Sequence, residues 1–273
     1  NGQVFLINSN GILFGSTAQV NVGALVASTK DLTDAQVRLG NDPLSNQTAT
    51  GIAGAHFTFS GNSTANITNL GSITATGNGT GGEGYVVLHA DYVRNDGTIE
   101  ANGGRITLAA GETLGLSLTN GQLLGVQVTG QVVNALVENK GLIVADGGQV
   151  YLTTRGKDSL LQTVVNNTGV IRARSMRSEK GVIVLDGDEG DVLHSGTIDV
   201  SGTDSGGKGG TVILNGNRVA ILNNSTIRAN GITGGGQVVV GGDTLGKVTD
   251  IMQLRFANQT VVQAGATIDV GTQ

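Results

Sequence analysis

The sequence predicts an all-β protein, a parallel β-helix in which short coils stack along one axis. Glycine is abundant, with 46 among 273 residues, whereas there is one proline and no tryptophan. Hydrophobic residues make up 38% of the chain and charged residues only 14%, so neither a disordered linker nor a collagen helix fits. In addition, a unit of the form Asn-x-Gly-x-Ile-x-Ala returns along the chain. The unit recurs at intervals of about 27 residues, and a period of this size is typical of solenoids.

The repeat unit defines strands and a core. The isoleucine and the alanine are two residues apart and therefore point to the same face of a strand, while the residue between them points away. Stacking of units about 27 residues long aligns the isoleucines into a structural ladder inside the solenoid. Asparagines at equivalent turns can form an amide ladder. The predicted isoleucine ladder comprises Ile73, Ile99, Ile143, Ile171, Ile198, Ile227 and Ile268.

A second signature, Gly-Gly followed by alternating apolar residues, marks another strand in most units. It occurs at residues 103–108, 147–152, 209–214 and 235–240. We expect the glycines of the repeats at corners, where the chain turns sharply or takes a positive φ. With about 4.8 Å between stacked strands, roughly ten coils would form a rod about 50 Å long.

Three segments are predicted to depart from the regular coil. Alternating apolar residues on both sides of an Asn-Gly turn predict a β-hairpin excursion near residues 112–130. A short helix is predicted to begin at Asp158 and to end near Asn167. A capping-box spacing predicts another short helix from Thr33, ended by Gly40.

The composition excludes several functional classes. The chain has no cysteine, which excludes disulfide scaffolds, thiolate zinc sites and cysteine nucleophiles. No apolar run approaches the about 18 residues of a membrane-spanning helix, so we expect no membrane-spanning segment. The formal net charge of −5 argues against a nucleic-acid partner, because nucleic acids are bound by basic surfaces.

The most specific signal lies in the first thirty residues. Residues 1–15 and 18–29 closely resemble the filamentous-haemagglutinin-type secretion (TPS) domain of two-partner secretion exoproteins. The signature of that family is Asn-Pro-Asn-Gly followed by an aliphatic residue, and Ser9 stands here in place of the proline. The residues that match the signature are Asn8, Asn10, Gly11 and Ile12. The later repeats are similar to the haemagglutinin repeats of the same family, so the resemblance covers essentially the whole chain.

The resemblance implies a fold, a route of export and a partner. It implies a right-handed β-helix, a further N-terminal cap, and export to the bacterial surface or medium through a dedicated outer-membrane β-barrel transporter. Residues 1–66 would be the C-terminal part of the TPS secretion-signal region. Residues 67–273 would continue the same solenoid as haemagglutinin-like repeats. Such exoproteins are mostly adhesins active in cell adhesion, aggregation and biofilm formation, with some haemolysins and contact-dependent toxin carriers.

The candidate sites each have a structural and a functional interpretation. The turn from Asn8 to Ile12 is either a coil corner or, as the resemblance implies, part of the surface that the transporter recognises. The acidic cluster Asp186, Asp188 and Asp191 offers hard oxygens to Ca²⁺. Its spacing matches neither an EF-hand nor a calcium β-roll, so we expect a solvated turn and no bound metal. His56, His89 and His194 lack metal-ligand neighbours at suitable spacing.

Three kinds of function compete. The first is a non-catalytic secretion and stalk module, which needs no cofactor. The second is a polysaccharide-degrading enzyme, because such enzymes also use β-helices. It requires clustered Asp or Arg, whereas these residues scatter here apart from the turn at residues 186–191. The third is direct glycan binding, for which five Phe and three Tyr are few stacking groups. We therefore expect any host-cell or exopolysaccharide ligand to bind downstream regions.

Overall fold

The computed structural model describes residues 2–32, 57–77, 83–119, 122–157, 162–176, 179–242, 252 and 254–272. These residues form 27 β-strands and no helix. The strands build three parallel sheets of eight strands each and one antiparallel sheet of three strands. The predicted parallel β-helix is confirmed.

Each coil contributes one strand to each parallel sheet. The first sheet contains β1 (Gln3–Ile7), β4 (Ala24–Ser28), β8 (Tyr85–Ala90), β11 (Arg105–Ala110), β16 (Gln149–Thr154), β19 (Val182–Asp186), β22 (Thr211–Asn215) and β25 (Gln237–Val240). The second contains β2 (Ile12–Phe14), β6 (Asn66–Asn69), β9 (Tyr92–Asn95), β14 (Leu136–Asn139), β17 (Thr163–Asn167), β20 (Asp191–His194), β23 (Arg218–Ile221) and β26 (Gln259–Val262). The third contains β3 (Gln19–Val22), β7 (Ser72–Ala75), β10 (Thr98–Glu100), β15 (Leu142–Val144), β18 (Val170–Arg172), β21 (Thr197–Asp199), β24 (Thr226–Arg228) and β27 (Thr267–Asp269).

Eight coils therefore stack in the described part of the chain, fewer than the roughly ten expected. At a strand spacing of about 4.8 Å the eight levels extend over about 34 Å. Part of the difference arises because some of the sequence forms a separate antiparallel sheet instead of coils. That antiparallel sheet consists of β5 (Phe57–Ser60), β12 (Thr113–Thr119) and β13 (Gln122–Thr129).

The core runs along the inside of the coils as continuous apolar rows. In the first sheet, Leu25, Val86 and Ile106 are paired in register and are almost completely buried. The same row continues through Val150, Ile183 and Val212. Burial of one such side chain contributes about 1.5–3 kcal/mol. Because each coil buries its apolar face only against its neighbours, the stack as a whole forms the core.

The antiparallel sheet covers the outer face of the first parallel sheet. β12 and β13 pair as the hairpin predicted near residues 112–130, and β5 adds to the free edge of β12. Phe59, Leu114 and Leu116 are fully buried and belong to one apolar cluster with Val26 and Val87 of the outer face. This second cluster covers the first four coils.

The predicted helix from Asp158 is wrong where the structure describes it. Thr163–Asn167 forms strand β17, in which Val165 pairs with Val137 on one side and Val192 on the other. The coil needs an extended segment at this level, and the pairing of both neighbours overrides the local helical pattern. Residues 158–161 and the predicted helix from Thr33 to Gly40 lie outside the described residues.

Glycines of the two signatures serve different purposes. Gly103 and Gly147, the first glycines of two Gly-Gly pairs, have φ of +72° and +75°, as expected for tight corners. Gly97 and Gly141 of the Asn-x-Gly units are not among the positive-φ residues. A β-carbon at Gly141 would overlap the carbonyl oxygen of Gly97 on the preceding coil. Close approach of stacked coils, and not a positive φ, therefore requires these glycines.

Candidate functional site

The turn that carries the predicted recognition motif connects β1 to β2 in the first coil. The Asn8 side-chain oxygen accepts a hydrogen bond from the Asn10 N–H at 3.0 Å, and the Asn8 carbonyl accepts one from the Gly11 N–H at 3.1 Å. Gly11 has a φ of +108°, a backbone conformation that favours glycine. This arrangement is an Asx-type turn, in which an asparagine side chain replaces a backbone partner.

The turn presents its asparagines to solvent and directs its aliphatic residue inward. Asn8 and Asn10 are exposed, whereas Ile12 is half-buried and packs against the main core. Ile12 pairs in register with Ile67 on the second coil. The structure thus brings Asn8, Asn10 and Gly11 together in one exposed turn and gives Ile12 a core position.

A buried ion pair supports this turn from below. Lys30 and Asp91 are almost fully buried, and the Lys30 ammonium donates to Asp91 Oδ1 at 2.6 Å. The same ammonium donates to the Ser63 carbonyl, and the Ser63 hydroxyl donates to the Ser9 carbonyl at 2.6 Å. Polar contacts therefore connect the third coil to the exposed turn. No sequence pattern indicates this network, because neither charged residue belongs to a recognisable motif.

The predicted isoleucine ladder lies in the third parallel sheet. Its seven members pair in register from β7 to β27, and Val20 of β3 precedes them. Those on the second to seventh coils are completely buried, whereas Ile268 on the eighth coil is 41% exposed. Val20 was missed because valine replaces isoleucine and no Asn-x-Gly precedes it.

An asparagine ladder lies in the second sheet, at the start of each Asn-x-Gly turn. The amide of Asn69 donates to Asn95, that of Asn95 to Asn139, and that of Asn139 to Asn167, each at 2.8 Å. The Asn167 amide then contacts His194 Nδ1 at 3.1 Å. Phe14 occupies the equivalent position on the first coil. His194 could have been found from the degenerate copy, since it stands two residues before Gly196 as each asparagine stands before its glycine.

The acidic cluster is engaged by arginines. Asp186 and Asp191 are buried and Asp188 is half-buried, so the expectation of a fully solvated turn is wrong. Each of the three carboxylates forms a salt bridge with a different arginine. In chain order, their partners are Arg155, Arg255 and Arg218. In the described part of the chain, no group of three or more His, Asp or Glu side chains is arranged to hold a metal ion.

The two described histidines are structural. His89 is completely buried, with Nδ1 3.2 Å from the Ser28 hydroxyl and Nε2 3.0 Å from the Gly111 carbonyl. Burial lowers its pKa to about 3. Burial lowers the pKa of His194 to about 4. Both rings are therefore neutral at physiological pH, and His56 lies outside the described residues.

The three parallel sheets define the class of protein, a parallel β-helix, and its first coil carries an exposed Asx turn. The sequence model of the TPS secretion domain matches residues 1–200, and the chain belongs to this family. Across the residues described above, no helix reaches the length and apolarity needed to cross a membrane.

Relatives and a solved structure agree with this assignment. The chain is 30% identical over 203 residues to a heme/hemopexin-binding protein of Haemophilus influenzae, covering 74% of this chain and 20% of that protein. A second heme/hemopexin-binding protein of Haemophilus influenzae is 28% identical over 211 residues, covering 72% of this chain and 21% of that protein. The chain thus spans about a fifth of the length of the curated relatives it matches.

The crystal structure of the HMW1 secretion domain from Haemophilus influenzae is similar along almost the whole chain. It has a TM-score of 0.78 and 29% identity, covering 99% of this chain and 64% of that chain. The chain is therefore a secretion module of a two-partner secretion exoprotein. Exoproteins with this domain are secreted through the outer membrane to the cell surface or the extracellular space, which implies an outer-membrane transporter as partner.

Proposed function

We propose that this chain is the N-terminal secretion and stalk module of a large secreted bacterial adhesin, and that its outer-membrane transporter recognises the turn at Asn8–Gly11. The observation that carries the proposal is the geometry of this turn. Asn8 and Asn10 are exposed while the Asx hydrogen bond and the Ser9–Ser63 contact hold the backbone. A preorganised polar turn binds a partner with little further loss of conformational entropy.

Chain composition and coil architecture suit export in an extended state. The absence of cysteine means that no disulfide can lock the chain before it crosses a membrane. Each coil contacts mainly its two neighbours, so folding can begin at one end and propagate coil by coil. Both features support a role in secretion, and neither depends on what the exoprotein binds.

The role of the whole exoprotein is a separate part of the proposal. We favour an adhesin, with the stalk of a contact-dependent toxin or haemolysin as the alternative. Two relatives are named heme/hemopexin-binding proteins. The two histidines that the structure describes are buried and therefore unsuited to ligate a haem. We propose that any such binding, like binding to host cells or exopolysaccharide, uses regions downstream of this chain.

Salt-bridge geometry supports a non-catalytic module over the remote alternative of a polysaccharide-degrading enzyme. Hydrolysis of a glycosidic bond generally uses two carboxyl groups that face each other across the substrate. Here the buried aspartates pair with cations instead. Asp186, Asp191 and Asp199 each form a salt bridge with an arginine.

Secretion of an Asn10→Ala variant tests the recognition proposal. The side chain of Asn10 is exposed, and the Asx turn uses its backbone N–H, so the substitution should leave the rod folded. Asn21→Ala is the matched control, because Asn21 is an exposed asparagine on the third strand of the same coil. In cells carrying the cognate transporter, we expect the Asn10 variant to reach the medium at about a tenth of the control's level or less.

Folding must be measured beside secretion. Gly11→Ala is less informative, because Gly11 has a positive φ and a β-carbon there would lie 3.3 Å from the Asn66 carbonyl oxygen. Circular dichroism of purified Asn10→Ala should match that of the unsubstituted chain. Secretion of this variant at the control level would refute the role of Asn10 in recognition.

A further inference from the structure

The outer face of the first parallel sheet carries a groove between two apolar covers. Leu116, Phe59 and the rest of the antiparallel sheet cover the first coils, while Met252 and Leu254 pack over Val184, Ile213 and Val239 on the later coils. Between these covers lies a cavity of about 420 Å³. This volume falls within the range of small-molecule sites.

The groove has a defined floor and walls. Thr107, Tyr151 and Val184 pair in register on β11, β16 and β19 and form the floor. Residues 125–128 of β13 line one wall, and Met252 lines the cavity from the other cover. The lining of this concave surface therefore contains both apolar and hydrogen-bonding groups.

At one end of the groove lies Arg105, a cation that has no carboxylate partner among the described residues. The Arg105 guanidinium donates to Gln149 Oε1 at 2.8 Å and to the Leu124 carbonyl at 3.4 Å. It lies 5.5 Å from the centre of the Tyr151 ring, and no salt bridge joins it to any acid in the described residues. At the other end, Arg155 pairs with Asp186 at 2.8 Å. The groove is thus locally positive in a chain of formal net charge −5.

In the part of the chain that the structure describes, two buried hydroxyl groups near Arg105 have no hydrogen-bond partner. Thr107 lines the groove, and its buried hydroxyl has no hydrogen-bond partner among the described residues. Leaving a buried hydroxyl unpaired costs about 1–3 kcal/mol. Tyr85 lines a second cavity, of about 250 Å³, together with Glu83 and Arg105, and its buried hydroxyl also has no hydrogen-bond partner within the described residues. The carboxylate of Glu83 makes this smaller cavity the poorer place for an anion.

We infer that the groove binds a small acidic saccharide, of one or two sugar units, through its carboxylate, separately from the attachment to host cells or exopolysaccharide that is proposed above for downstream regions. Arg105 provides the charged hydrogen bonds that a carboxylate prefers, and Thr107, Thr153 and Gln127 can bond sugar hydroxyls. Val126 and Val184 can pack against the C–H faces of a sugar ring. A lipid fits this groove less well, because it would need a continuous apolar lining. A free phosphate also fits less well, because it would need more than one unpaired cation.

Titration with methyl glycosides tests the inference directly. The probes are the methyl glycosides of glucuronic, galacturonic and N-acetylneuraminic acid, with methyl glucoside as the neutral control. We expect at least one acidic glycoside to bind the full chain saturably by calorimetry or ligand-observed NMR, and methyl glucoside to bind at least about tenfold more weakly, as the loss of a charged hydrogen bond requires.

Variants locate the site. Arg105→Gln should weaken binding about tenfold or more, and Thr107→Val about threefold to tenfold. Arg228→Gln is the matched control, because Arg228 is exposed on the third sheet, away from the groove, and it should bind as the unsubstituted chain does. Thr107→Val preserves side-chain shape and should leave the thermal unfolding midpoint unchanged or higher. Failure of all three acidic glycosides at millimolar concentration, equal binding of methyl glucoside, or undiminished binding by Arg105→Gln would overturn the inference.

Discussion

His194 continues the asparagine ladder when its ring is neutral, but its protonated ring does not fit the same position. Its ring continues the asparagine ladder, because Nδ1 faces the Asn167 amide at 3.1 Å while Nε2 lies 3.4 Å from the Thr226 carbonyl. A neutral ring with its proton on Nε2 satisfies both contacts. A protonated ring would place an N–H against the N–H of Asn167 and a charge in an apolar interior.

We predict that acid destabilises the rod partly through this histidine. The pKa of His194 is about 4 in the folded chain and 6.5 as its ordinary value. The unfolded chain therefore binds more protons between these values, and the free energy of unfolding falls as pH decreases through that window. His194→Asn should extend the ladder and reduce the loss. Urea denaturation at about pH 7 and about pH 4.5 measures the difference.

The reference for this experiment is the unsubstituted chain. His89 titrates in both the reference and the variant. Burial lowers the pKa of His89 to about 3, so its acid destabilisation is expected to remain in the His194→Asn variant. An equal loss of stability on acidification in the two proteins would show that His194 does not contribute.

The asparagine ladder pairs buried polar groups where the short strands of the second sheet end. Asn69, Asn95, Asn139 and Asn167 are fully buried, and each amide also lies near the carbonyl of the glycine two residues later. The ladder thus satisfies buried polar groups at a corner, where the backbone turns between two sheets and cannot form a regular strand ladder.

We predict that Asn139→Ala destabilises the chain by about 2–4 kcal/mol. The substitution removes the acceptor of the Asn95 amide and the donor to Asn167 Oδ1, both at 2.8 Å, and leaves the buried Asn95 amide with only its longer contact to the Gly97 carbonyl at 3.3 Å. Asn223→Ala is the control, because Asn223 is exposed, and it should change stability by less than about 0.5 kcal/mol. Chemical denaturation of both variants gives the comparison. Similar midpoints would contradict a stabilising ladder.

Sequence periodicity predicts elements well where the same contact recurs on every coil. The repeat indicated the third-sheet strands and the isoleucine positions, while local alternation around an Asn-Gly turn indicated the hairpin that became β12 and β13. It failed where contacts come from elsewhere in the chain. Val164 and Val165 have helical spacing with Leu160 and Leu161, yet strands on both sides pair with β17. The partner strand β5 and the groove at Arg105 depend on distant segments, and no local pattern marks them.

At the scale of the whole molecule, the core is a one-dimensional stack whose interior differs from its ends. Ile143 and Ile268 occupy the same row of the third sheet, but the first is completely buried and the second is 41% exposed. Val262 and Val270 on the eighth coil are also exposed. A coil with neighbours on both sides has its core side chains covered from both directions, whereas the eighth coil contacts one neighbour in this chain.

We therefore predict that replacement of isoleucine by alanine lowers the free energy of unfolding by different amounts at different positions of this row. Ile143→Ala removes a completely buried side chain between Ile99 and Ile171 and should lower the free energy of unfolding by about 3 kcal/mol. Ile268→Ala should cost less than about 1 kcal/mol, because much of its side chain already contacts water. Hydrogen exchange of the unsubstituted chain should show the same order, with the amides of β15 more protected than those of β27. Equal costs for the two substitutions would show that the chain unfolds without regard to coil position, contrary to a solenoid stabilised by nearest-neighbour stacking.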